Sequence, residues 1–163
     1  MSRLDSFIRR MQGQRDCLNR AAELIAGVPG PVLELGLGNG RTYDHLKEIL
    51  PGREIFVFDR RIAAHPADVP DAAHMILGDI RETLATAGAR IGVKAALVHV
   101  DVGTGDAAAN AALAATLGPL IDRVATKGAV VASDQAIPMA GWLLLPLPEG
   151  VKAGRYHLYR VGG

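Results

Sequence analysis

The chain has 163 residues, 49% of them apolar, with 18 Lys and Arg against 17 Asp and Glu. That length suits one domain with its own core, and that apolar share excludes a disordered chain. The near-cancelled charge argues against a generic nucleic-acid binder, and the single cysteine, Cys17, excludes a disulfide framework or a cysteine-rich zinc module.

The first 30 residues read as a helical segment ahead of a domain over 31–163. Leu4, Phe7, Ile8, Met11, Leu18, Ala22 and Ile25 repeat near helical spacing. Gly13 interrupts the stripe, so two helices or a kink are expected. Arg3, Arg9, Arg10, Arg15 and Arg20 read as a solvated face, and Cys17 as a packing residue. The opening MSRLDSFIRR has no secretion-signal stretch, and no apolar run nears the ~20 residues that cross a bilayer, so a soluble, cytoplasmic protein is expected.

Short apolar runs punctuated by Gly and Pro follow: 31–36, 54–59, 74–79, 95–101, 128–134, 142–147 and 155–161. The first five are nearly continuous in hydrophobicity, as strands buried on both faces are. Helices are expected over 41–50, 106–117 and 119–126. Alternating strand and helix predicts an α/β, doubly wound, mostly parallel seven-stranded Rossmann-like sheet. The connections before the last two strands are too short for crossover helices, which predicts a C-terminal antiparallel hairpin. Pro146 and Pro148 suit an outer strand, and Trp142 fits either a homodimer interface or the core.

The informative segment is Val32-Leu33-Glu34-Leu35-Gly36-Leu37-Gly38-Asn39-Gly40-Arg41. A buried strand runs into glycines and then into a helix, which makes a ligand corner at a strand's carboxyl end. A dinucleotide fingerprint needs a third glycine where Arg41 stands, so a nicotinamide-dependent enzyme is disfavoured. Glu34 lies inside the strand, where a carboxylate needs a cationic or well hydrogen-bonded partner; an ammonium-bearing ligand would supply one.

VLELGLGNGRT resembles the first motif of class I S-adenosylmethionine-dependent methyltransferases. The resemblance implies that Glu34, Gly36, Gly38 and Gly40 line the methionine part of S-adenosyl-L-methionine. Asp59, with Arg60 after it, matches the family's acidic residue at the ribose. Asp79 and Ile80 match the residues at the adenine, and Asp101 the residue beside the methyl group. Each aspartate alone could equally cap the next helix. His99, two residues before Asp101, reads as a hydrogen-bonded core histidine.

TKGAVVASDQAI and the closing hairpin are similar to catechol-type and caffeoyl-coenzyme-A-type O-methyltransferases. That similarity implies Asp101 and Asp134 as catalytic residues, and Asp101, Asp134 and Gln135 as ligands of Mg²⁺, although Gln135 stands where those enzymes have Asn. The expected function is methyl transfer to a small-molecule acceptor such as a hydroxyl, with no nucleic-acid or membrane partner. The alternative is a non-catalytic S-adenosylmethionine-binding sensor or partner subunit.

Overall fold

The computed structural model describes residues 2–162. The chain forms α1 (Arg3–Leu24), β1 (Val32–Leu35), α2 (Arg41–Ile49), β2 (Ile55–Asp59), β3 (Met75–Leu77), α3 (Ile80–Ile91), β4 (Ala95–Val100), α4 (Ala107–Val124), β5 (Ala125–Ser133), β6 (Leu143–Leu144) and β7 (His157–Arg160). The seven strands make one sheet in the order β3-β2-β1-β4-β5-β7-β6. β1 to β5 are parallel, and β7 runs antiparallel between β5 and β6. The doubly wound sheet and the C-terminal antiparallel pair are those expected from the sequence.

Alternate residues of the central strands feed two cores. Leu33, Leu35, Val98, Val100 and Val131 face α3 and α4. Val32, Val57, Leu97, Val130 and Ala132 face α1 and α2, where Cys17, Leu18, Ala21 and Leu46 meet them. This period of two, repeated on both faces, is why the strands read as continuously apolar. Cys17 is fully buried, and burial followed by the charge of Asp16 pushes its thiol up to about 12, which suits the packing role expected of it.

Several elements depart from the expected boundaries. α1 is one helix through Gly13. A helical glycine costs only about 1 kcal/mol, and a capping box between Ser2 and Asp5 secures the start. The expected helices 106–117 and 119–126 are a single α4 with Pro119 inside it. Leu117, Ile121 and Val124 are buried in the core on both sides of that proline, so tertiary packing overrides the local break. α3 was not expected at all, although Asp79 caps its start and Gly92 its end. The 142–147 run pairs only over Leu143 and Leu144, which are 60% and 63% exposed at the sheet edge. Trp142 is half-buried: its indole N–H donates to Asp122 at 2.8 Å, and its ring packs on Tyr159.

Candidate active site at the sheet's carboxyl edge

Strand order reverses between β1 and β4, which leave their helices on opposite faces. In open α/β sheets that reversal opens the ligand crevice. The glycine loop stands there. Gly36 has φ 99°, and a Cβ on it would lie 2.4 Å from the Asp101 carbonyl oxygen, so only glycine lets β1 and β4 close together. Gly38 is exposed, and a Cβ on it would meet nothing within 4 Å. Gly40 precedes α2 in a left-handed conformation and is buried, not facing the crevice: a Cβ on it would lie 2.5 Å from Asp68 Cβ, and the next amide, of Arg41, donates to Asn39 Oδ1 at 3.3 Å.

Asp59 turns back onto this loop. Its Oδ2 accepts from the Leu37 amide at 2.9 Å and the Gly38 amide at 3.3 Å, and its Oδ1 accepts from the Arg61 amide at 3.2 Å. Asp79 caps α3, accepting from the Arg81 amide at 2.9 Å. The Arg81 guanidinium, with Arg60 at 3.2 Å, holds its carboxyl well below the usual carboxylate range. Arg60 is thus engaged with Asp79. Ile80 is only 8% exposed and belongs to the core under α3, so it presents little surface to a ligand.

Glu34 is fully buried and has an internal partner rather than an open face. Its Oε1 accepts from the Thr42 hydroxyl, and its Oε2 lies 2.5 Å from His99 Nδ1. Strand register sets this pair, since Glu34 lies opposite His99 on the neighbouring strand. His99 Nε2 meets the Tyr156 hydroxyl. Burial opposes a charged imidazole, but Glu34, with Asp101 and Asp134 beyond it, outweighs burial and holds the His99 pKa above its ordinary value. Glu34 therefore needs no ligand ammonium to be compensated. His99 is the hydrogen-bonded core histidine expected from the sequence, and it also balances the first motif's charge.

Asp101 and Asp134 end adjacent strands, and each feels the other's charge. Asp101 Oδ2 accepts from Gln14 Nε2 at 2.9 Å, which ties α1 to the sheet edge. Asp134 Oδ2 accepts from Gln135 Nε2 at 3.4 Å, while its buried Oδ1 has no partner. Burial first, and Asp101 second, raise the Asp134 pKa. A carboxyl raised on folding stabilises below its unfolded pKa, near 4, and that contribution is lost as pH rises through the folded value. Asp134→Asn should therefore stabilise the protein by about 0.5–2 kcal/mol at pH 7.5 and by little at pH 4.5. Thermal melts at both values check this, and an equal shift at both would refute it.

Gln14, Thr42 and Tyr156 have no place among the residues expected from the sequence. Gln14 left one trace, a polar residue at a buried position of an otherwise apolar helix face; the other two look ordinary until the strands are aligned.

A family model for S-adenosyl-L-methionine methyltransferases matches residues 1–161. The chain belongs to that family. This methyltransferase is 48% identical to an S-adenosyl-L-methionine methyltransferase of Silicibacter pomeroyi DSS-3, with TM-score 0.93 and 99% of each chain covered. It shares its fold with TrmN of Thermus thermophilus (TM-score 0.58, 16% identity, 87% of this chain and 46% of that one). NSun6 of Pyrococcus horikoshii aligns similarly (TM-score 0.56, 11% identity, 88% and 50%). No curated protein matches the chain. Among the described residues, no helix is long and apolar enough to cross a membrane.

Proposed function

We propose that this methyltransferase binds S-adenosyl-L-methionine in the β1–β4 crevice and transfers its methyl group to a small acceptor held beside Asp101. The observation that carries this reading is the glycine loop at the reversal of strand order, clasped by Asp59 and open at Gly38. The site fits the cofactor at Gly38, where a Cβ would meet no protein atom, while Gly36 and Gly40 let the loop pack against Asp101 and Asp68, and Asp59 offers carboxylate lone pairs to the ribose hydroxyls. Asp79 and Arg60 flank the adenine side. Glu34 acts from below, shaping the loop through Thr42. When bound, the cofactor supplies a methyl group already activated on a sulfonium.

The chain's own work is to position the acceptor and take its proton. Asp101 is the base: one oxygen is held by Gln14, and the other is left for the acceptor's O–H or N–H. Asp134 raises the local negative charge beside it. The Mg²⁺ set of Asp101, Asp134 and Gln135 fits poorly. Gln135 turns a donor N–H toward Asp134, and Gln14 occupies an Asp101 oxygen. With an amide donor on each carboxylate in this way, no step is assigned to a divalent ion. The acceptor reading as a small molecule rests on the lack of a basic excess in the composition.

Asp59→Ala should weaken S-adenosylhomocysteine binding by roughly 1–3 kcal/mol, about 5- to 150-fold, through lost charge-assisted hydrogen bonds to loop and ribose. Calorimetry on the folded variant checks this, and unchanged affinity would remove Asp59 from the site.

A further inference from the structure

We infer that Asp134, acting with Asp101, makes the site select the positively charged sulfonium form of the cofactor over its neutral, demethylated product. This inference rests on the S-adenosyl-L-methionine reading above and assigns what decides cofactor against product at that same site.

Of the carboxylates at the strand ends and under the glycine loop, Glu34, Asp59 and Asp79 are answered within the chain. Glu34 faces His99 at 2.5 Å. Asp59 accepts from the backbone amides of Leu37, Gly38 and Arg61. Asp79 pairs with the guanidiniums of Arg60 and Arg81. Asp101 and Asp134 differ. Among the described residues neither forms an ion pair. Each meets one neutral amide side chain instead, Gln14 at 2.9 Å and Gln135 at 3.4 Å. Asp134 Oδ1 has no partner, and among the described residues it is the one buried side-chain nitrogen or oxygen left so. A buried acceptor without a partner costs free energy, more so when charged. At a binding edge, a ligand that brings the missing positive charge removes that cost.

The backbone fixes where these two charges stand. The Asp101 amide donates to the carbonyl of Leu35, the last residue of β1 before the glycine loop, at 2.9 Å. The Asp134 amide donates to the Val100 carbonyl at 3.2 Å. A Cβ on Gly36 would lie 2.4 Å from the Asp101 carbonyl oxygen, and one on Gly103 would lie 2.4 Å from Asp134 Oδ2. The glycine loop, Asp101, Gly103 and Asp134 are thus one contiguous run. Gly103 covers Asp134, which reduces the screening of its charge by water.

The chemistry of the pair suits a sulfonium better than a metal ion. Gln14 and Gln135 turn N–H groups toward these carboxylates, where a metal ion needs further acceptors. A sulfonium needs no ligand shell and gains from the carboxylates through their field alone. Once the methyl has left, with the bonding electron pair kept by sulfur, the thioether is neutral and Asp101 and Asp134 no longer attract it. Cofactor and product share every other charged group, so the preference between them is set at this one position. Asp134 thereby favours loading of the cofactor and release of the product, while Asp101 serves as the base.

The test is calorimetry on the full chain in chelator with S-adenosyl-L-methionine, S-adenosylhomocysteine and sinefungin, which carries an amine in place of the methylated sulfur. We expect S-adenosyl-L-methionine to bind about 10-fold or more tighter than S-adenosylhomocysteine, with sinefungin also tighter than S-adenosylhomocysteine. Asp134→Asn keeps the side chain's shape and removes its charge. It should cut that preference by about 5-fold or more, through weaker binding of the charged ligands, and leave S-adenosylhomocysteine affinity within about twofold. Asp101→Asn should act in the same direction, and melts of both variants confirm folding. Equal affinities in the parent, a tighter S-adenosylhomocysteine, or an unchanged ratio in a folded Asp134→Asn would overturn the inference. Sinefungin no tighter than S-adenosylhomocysteine would assign the preference to the shape of the methyl group and also overturn it, as would a preference that appears only when Mg²⁺ replaces the chelator. Failure of all three ligands to bind would strike the cofactor reading instead, which separates the two.

Discussion

His99→Ala should unfold roughly 6–20 °C below the parent protein, from a loss of about 3–5 kcal/mol. The imidazole and Glu34 are both fully buried at 2.5 Å separation. Removing one partner leaves the Glu34 carboxylate in the core with only the Thr42 hydroxyl, and leaves the Tyr156 hydroxyl without its ring partner. The pH dependence follows from linkage. His99 has a raised pKa in the folded state, so its contribution is whole below the unfolded value, near 6.5, and declines as pH rises through the folded value. Thermal melts should show the gap between parent and variant narrowing toward alkaline pH. A second variant separates burial of charge from shape: Glu34→Met together with His99→Leu removes both charges and should recover part of the loss. A single His99→Ala change costing under 1 kcal/mol would show that Glu34 is compensated by some other group.

Gly36→Ala should cost about 2–4 kcal/mol in stability and lower S-adenosylhomocysteine affinity by 100-fold or more, because two constraints coincide there. The φ of 99° lies outside the range an alanine adopts comfortably, and the new Cβ would press on the Asp101 carbonyl at 2.4 Å. Relief requires moving either the glycine loop, where the cofactor is proposed to bind, or the end of β4, which carries Asp101. Gly38→Ala is the informative contrast. Its φ of 53° is in the left-handed well, and a Cβ there meets no protein atom, so the stability cost should be near 1 kcal/mol. Its exposed position on the loop puts that Cβ where the cofactor would lie, so affinity should still fall. Denaturation curves and calorimetry on both variants check the pair of expectations. Equal effects of the two on stability would show that the β1–β4 approach is not what requires Gly36.

What could be read from the chain alone was local. Buried strands announce themselves through runs such as Ala95–Val100, and the β1 motif through glycines packed within a few residues of one another. These signals depend on near neighbours, so the parallel core, the glycine corner and the carboxylates at strand ends were all visible. Boundaries failed where packing outvoted propensity. Pro119 sits inside α4 because buried residues on both sides hold the helix, and Gly13 sits inside α1 at a local cost of only about 1 kcal/mol. α3 shows the opposite case: Asp79 and Gly92 marked both its ends, yet Asp79 reads equally well as a ligand residue until its cap hydrogen bond is seen.

The partners of the polar groups belong to the tertiary structure. The sequence says that Glu34, inside a buried strand, must be compensated; it does not say by what. The answer, His99, lies 65 positions later and is chosen by the register of β1 against β4. Gln14 reaches Asp101 across 87 positions because α1 lies on the β5 side of the sheet. Sequence determines which groups cannot be left unpaired, since desolvation depends on the residue and its apolar neighbours. Only the assembled fold decides which groups meet, since that depends on register and helix placement across the whole chain. For this methyltransferase, the glycine corner was a matter of local sequence, and the contact of Gln14 with Asp101 was a matter of where α1 lies on the sheet.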